Sequence, residues 1–186
     1  MMYVRNDESG FYTTNVNSAT VSVFDQIATP PPAQNQKDWN QTVISVGKGD
    51  EGFDVSPDGR ELWTADAQDG TLSVIDVASR KVVATLDAKA VGANRLKFTP
   101  DGRFVAISSL RSGDLVFYDA ATRKEFKRVP IGRGAAGILM DPVGNRIFVA
   151  CTPNNYVAVV DLQTFAVTGH VDVGEEPDGL AWAVRP

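Results

Sequence analysis

The chain has 186 residues, a formal net charge of −5, 43% hydrophobic and 22% charged residues, and a single cysteine. Its cations are scattered, apart from Arg123-Lys124 and Lys127-Arg128 around one hairpin, which argues against a general nucleic-acid surface because phosphate binding needs clustered Lys and Arg. One cysteine excludes an intramolecular disulfide, no apolar run approaches the roughly 20 residues of a membrane span, and MMYVRNDESG is too polar for a signal peptide.

In chain order, Met2 to Val4 reads as a clipped first strand. GFYTTN (Gly10 to Asn15), TVSVFD (Thr20 to Asp25) and TVISV (Thr42 to Val46) follow as second, third and fourth strands. Between the last two lies ATPPPAQNQKDWNQ, Ala28 to Gln41, whose prolines favour extended, unpaired chain; it reads as a lengthened loop, with Trp39 either packing locally or marking a contact surface. The next unit opens at Ser-Pro-Asp-Gly, Ser56 to Gly59, and continues through Leu62-Trp63-Thr64, TLSVID (Thr71 to Asp76) and KVVATL from Lys81. The tetrapeptide returns 43 residues later as Thr99 to Gly102, followed by Val105-Ala106-Ile107, DLVFYD (Asp114 to Asp119) and EFKRVP from Glu125. A degraded copy, Asp141 to Gly144, comes 42 residues further on and leads into Ile147-Phe148-Val149, YVAVVD (Tyr156 to Asp161) and AVTGHV from Ala166. Gly179 to Ala183 then reads as one more innermost-type strand.

Four short strands in each unit of about 40 to 45 residues are the pattern of a propeller blade. The fold class is therefore all-β: a β-propeller of four-stranded antiparallel blades, about four of them, in a single domain spanning 1–186. The repeats run approximately 1–52, 53–94, 95–136 and 137–178, with a closing strand at 179–183. Pro-Asp-Gly suits the hairpins, since Pro presets φ, Asp bonds the turn and Gly takes the left-handed position. Asp25, Asp76, Asp119 and Asp161, which end the third strands, read as turn caps rather than as a catalytic series.

The words FYTTNVNSATVSVFD and LWTADAQDGTLSVIDVASRKVVATL resemble the YVTN-type β-propeller repeat, with departures at AISSLRSGDLVFYD and at Ala150-Cys151-Thr152. The resemblance implies rings of usually seven blades and a periplasmic or extracellular location. Three arrangements stay open: part of a longer propeller, a closed four-bladed ring, or two copies joining their arcs as a homodimer. An open arc exposes apolar flanks and unpaired edges, which favours the dimer as remedy.

Function is less legible. A haem, copper or zinc centre needs several imidazole or thiolate ligands, and His170 and Cys151 are the only ones; both read as structural. The chain assembles no nucleophile, base and orienter set, so no catalytic residue is assigned. Candidate ligand-binding residues lie in the loops that lead from each fourth strand to the next first strand at the channel mouth: Asp50, Glu51, Asn94, Arg95, Arg133, Glu175, Glu176 and Asp178. The expectation is a non-catalytic binding scaffold without a cofactor. The alternative is a lactonase-like or lyase-like hydrolytic propeller holding a divalent cation with Asp50, Glu51 and Asp178.

Overall fold

The computed structural model describes residues 1–27 and 39–183. Of the expected inserted loop, residues 28–38 lie outside the described residues, and Trp39 to Gln41 already belong to a strand.

Among the described residues, sixteen strands form four antiparallel sheets, each in simple chain order. Blade 1 is β1 (Met2–Val4), β2 (Gly10–Asn15), β3 (Thr20–Gln26) and β4 (Trp39–Ser45). Blade 2 is β5 (Asp50–Val55), β6 (Glu61–Asp66), β7 (Thr71–Asp76) and β8 (Lys81–Asp87). Blade 3 is β9 (Ala93–Phe98), β10 (Phe104–Ser109), β11 (Asp114–Asp119) and β12 (Lys124–Pro130). Blade 4 is β13 (Ala135–Met140), β14 (Arg146–Cys151), β15 (Tyr156–Asp161) and β16 (Ala166–Asp172). The innermost strands of blades 2, 3 and 4 begin at Asp50, Ala93 and Ala135. Residues 177–183 form no strand: the expected closing strand Gly179 to Ala183 has no ladder partner, and the blades make an arc rather than a closed ring.

The core sits between the blades. One apolar cluster joins Tyr12, Val21 and Val23 of blade 1 to Phe53, Val55, Leu62 and Ile75 of blade 2. A second joins Trp63, Leu72 and Val74 to Leu96, Val105 and Val116, and a third joins Phe104, Leu115 and Phe117 to Ile147, Val149 and Val160. Strict alternation along each strand produces this arrangement, since every interior blade must offer an apolar face to both neighbours.

The strand-ending aspartates behave as caps in three of four cases. Asp76 accepts from the Ser79 backbone and hydroxyl, Asp119 from Thr122, and Asp161 from Thr164. These bonds hold each carboxyl below its ordinary range. Asp25, followed by the inserted segment, instead receives Arg5 at 2.8 Å and Arg80 at 2.7 Å. Four residues after their aspartates, Arg80, Arg123 and Phe165 adopt left-handed backbone (φ 57°, 57° and 54°), and each reaches back to the preceding blade. Arg123 pairs with Glu61 at 2.6 Å, whereas Phe165 packs edge-on against Phe104.

Candidate functional site

Each of the last three innermost strands starts with a β-bulge at the same repeat position, where Glu51, Asn94 and the Ala136 region interrupt the register with the second strand. Bulges re-aim side chains next to functional sites. Here the bulge turns the Glu51 carboxylate toward blade 3, where its Oε1 accepts from Arg95 Nη1 at 2.6 Å. Arg95 Nη1 also donates to the Asn94 carbonyl at 3.3 Å, and Nη2 lies 4.0 Å from Asp178 Oδ1. The guanidinium, whose side chain is 21% exposed, thus links blade 2, blade 3 and the segment beyond blade 4. Beside it the Asn94 side-chain oxygen is buried without a hydrogen-bond partner among the described residues.

Asp50 stands apart from this group. It pairs in register with Asp66, and both residues are fully buried. Asp66 accepts from the hydroxyls of Thr64, Thr71 and Ser73 at 2.7, 3.0 and 2.7 Å. Neither oxygen of Asp50 has a partner among the described residues. Burial pushes the Asp50 carboxyl up to about 6 against the opposing pull of its own and the Asn15 backbone N–H, with the Asp66 charge adding to the rise. Asp66 is raised by burial as well, against the opposing pull of its three hydroxyl donors.

The remaining candidates are not drawn together. Arg133 is exposed, and its backbone N–H donates to Asn154 Oδ1 at 2.6 Å. Glu175 and Glu176 are exposed on the loop after β16, where the Glu176 N–H donates to Asn155 Oδ1. Among the described residues no three His, Cys, Asp or Glu side chains converge as a metal site.

Two features escaped the sequence reading. One is the buried pair Asp50 and Asp66; its signal was the contrast with Ala93 and Ser109, and with Ala135 and Cys151, which occupy the same register positions in blades 3 and 4. The other lies at the opposite ends of the innermost strands, where the Pro-Asp-Gly turns border a groove of about 590 Å³ between blades 2 and 3. Asp58, Arg60, Glu61, Asp101 and Arg123 line it.

Cys151 is buried, and burial pushes its thiol up, away from the nucleophilic thiolate. His170 sits exposed on β16, the outermost strand of its blade, with its ring 4.3 Å from that of Tyr156.

Residues 6–149 match the family described as the cytochrome D1 heme domain. Among solved structures, the chain is similar to the hydrazine synthase of Kuenenia stuttgartiensis, with 17% identity, a TM-score of 0.76, and coverage of 91% of this chain and 47% of that one. It is also similar to a functionally unknown protein from Desulfotomaculum acetoxidans (14% identity, TM-score 0.80, 96% and 57% covered). A third likeness is to a putative 6-phosphogluconolactonase from Bacteroides fragilis (16% identity, TM-score 0.80, 96% and 56% covered). At these identities the likeness is one of fold, and the chain spans about half the length of the solved chains it matches. No curated protein matches it. Neither the sole imidazole nor the sole thiol is placed for axial haem ligation from the channel side: the first lies on an outermost strand and the second is closed inside the apolar cluster between blades 3 and 4.

Proposed function

This chain belongs to the cytochrome D1 heme domain family, and we propose that within it the four blades work as a non-catalytic binding scaffold of YVTN-type repeats in a periplasmic or extracellular setting. The observation that supports this reading is the use of rim charges on one another: Arg95 occupies Glu51 and approaches Asp178, so these two carboxylates serve a cation of the chain itself. A scaffold of this kind binds through its loops and turn grooves while the blades stay rigid. A hydrolytic reading, suggested by the name of the Bacteroides fragilis neighbour, needs Asp50, Glu51 and Asp178 around one divalent ion. Glu51 and Asp178 face Arg95, whereas Asp50 faces Asp66, so the geometry favours the scaffold.

The test is a paired titration of the purified chain. Haemin is followed by its visible absorption band, and 6-phosphogluconolactone hydrolysis is followed by acid release with calcium, with manganese and with chelator. The scaffold reading expects no saturable haem spectrum and no protein-dependent hydrolysis; a stoichiometric haem complex or metal-dependent turnover overturns it.

A further inference from the structure

The grooves between successive blades, at the end where the Pro-Asp-Gly turns lie, share one plan and differ in chemistry. Between blades 2 and 3, Glu61 at the start of β6 pairs with Arg123, which stands four residues after the aspartate that ends β11. Between blades 3 and 4, the corresponding positions hold Phe104 and Phe165, packed edge-on at 5.1 Å. The turn residue changes in the same sense: where the groove between blades 2 and 3 has Asp101, this one has Val143, which is 75% exposed. Three positions that carry charge in one groove are therefore apolar in the next. Phe126 of β12, 50% exposed, lies against both Phe104 and Phe165, at 4.9 and 5.0 Å. Pro100, Phe104, Val143, Leu162 and Phe165 wall a cavity of about 460 Å³. Blade packing accounts for Phe104 and Phe165, which are buried, but it leaves Val143 and half of Phe126 in solvent.

The cations differ as well. Between blades 1 and 2, Asp25 takes up Arg5 at 2.8 Å and Arg80 at 2.7 Å, and between blades 2 and 3, Glu61 takes up Arg123. Between blades 3 and 4, the Arg103 guanidinium lies 4.8 Å from the centre of the Phe104 ring, and Lys127 Nζ lies 5.9 Å from that of Phe165. Lys127 Nζ donates to the Thr164 carbonyl. Among the described residues, neither cation has a carboxylate within 4 Å. Asp101 and Asp119 feel the Arg103 charge, but both are engaged in turns: Asp101 accepts from the Thr99 hydroxyl and the Arg103 backbone N–H, and Asp119 accepts from Thr122. In a chain of net charge −5, this apolar groove is thus edged by two cations without acid partners.

We infer that the groove between blades 3 and 4 binds an extended segment of a partner protein in which apolar side chains are flanked by aspartate or glutamate. The apolar side chains fill the cavity against Val143, Leu162 and Phe165, which removes exposed apolar surface from water. The flanking carboxylates meet Arg103 and Lys127 at its edges, so charge sets the register and rejects basic segments. A cavity of about 460 Å³ has the size of a small-ligand pocket and takes a few side chains, which suits a segment better than a folded surface. Its walls are turns held by two packed blades, so the site is formed in advance and the cost of ordering falls on the segment. The groove is in this way a binding surface of the scaffold proposed above, and its assignment rests on that reading.

The test probes the purified full chain with arrays of heptapeptides that carry two apolar residues between acidic flanks or between lysine flanks. The strongest acidic-flanked binder is then titrated by fluorescence anisotropy. Saturable binding of acidic-flanked peptides is expected, with none of their lysine-flanked counterparts. Val143→Asp installs the aspartate of the other two turns at an exposed position, and Arg103→Glu reverses the charge of an exposed edge residue. Each is expected to weaken binding about tenfold or more with the circular dichroism spectrum unchanged. Added salt is expected to weaken binding more in the wild type than in Arg103→Glu. Absence of saturable binding overturns the assignment, as does equal binding of lysine-flanked peptides or binding that neither variant weakens. Uptake of a naphthalene sulfonate at the groove without uptake of any peptide also overturns it. The haemin and lactone titrations keep the two readings apart. With both negative, a lack of peptide binding removes the groove and leaves the scaffold, whereas a haem complex or turnover strikes the scaffold reading whatever the peptides do.

Discussion

The start of the innermost strand in blade 2 and the same place in blade 4 share one backbone solution and opposite chemistry. In blade 4, Ala135 and Cys151 face each other inside an apolar cluster. In blade 2, Asp50 and Asp66 face each other, both without solvent contact. Blade 3, with Ala93 opposite Ser109, sides with blade 4. The scaffold therefore needs only a small side chain at this position, and the carboxylate of Asp50 is a local departure that costs stability: like charges directly opposite on a strand pair repel, and burial penalises each. Three hydroxyls compensate Asp66, whereas Asp50 meets only its own and the Asn15 backbone N–H and the N-terminal charge, which burial outweighs, so its carboxyl is raised.

Copying the departure into blade 4 is expected to break the molecule. Ala135→Asp places a carboxylate inside a buried apolar cluster, opposite the Cys151 thiol, at a cost of about 3–5 kcal/mol. Urea denaturation at pH 7.5 measures it, and an unchanged midpoint would refute the claim that blades 2 and 4 differ in electrostatic tolerance here.

Erasing the departure has the opposite sign. Asp50→Ala is expected to stabilise the chain at pH 7.5 by roughly 2–3 kcal/mol, following the shift of the Asp50 carboxyl from 3.8 to about 6. Because the folded-state value lies above the unfolded one, folding takes up a proton between them. The associated stability is fully present below pH 3.8 and is lost as pH rises through about 6. The wild-type chain should then gain from this site on acidification from pH 7 to pH 5, and the variant should lack that component. A pH series of denaturation midpoints for both chains decides the matter; parallel curves would remove Asp50 as the source.

The smallest effect is expected at the neighbouring bulge. Arg95→Met removes the pair with Glu51 and the approach to Asp178, at about 0.5–1 kcal/mol, because the partners are partly solvated. Melting in low and high salt measures this contribution, which should shrink with ionic strength in the wild type and be absent in the variant.

The repeats made the blades legible in advance. TLSVID, DLVFYD and YVAVVD coincide with β7, β11 and β15, because period-two alternation between turn residues leaves one way to bury the apolar face. Candidate residues were legible only as a neighbourhood. Glu51, Arg95 and Asp178 do meet, but Arg133, Glu175 and Glu176 do not, since loop charges carry no periodic signal of direction. Local pattern by itself determined the all-β class, the strand order within each blade and the capping role of Asp76, Asp119 and Asp161, because each depends on residues a few positions apart. Only the tertiary structure decided that Asp50 turns toward Asp66 while Glu51 turns toward Arg95, and that residues 179–183 form no strand. The first depends on a one-residue bulge and the second on which sheet edge stands alongside, and both are set by contacts between blades.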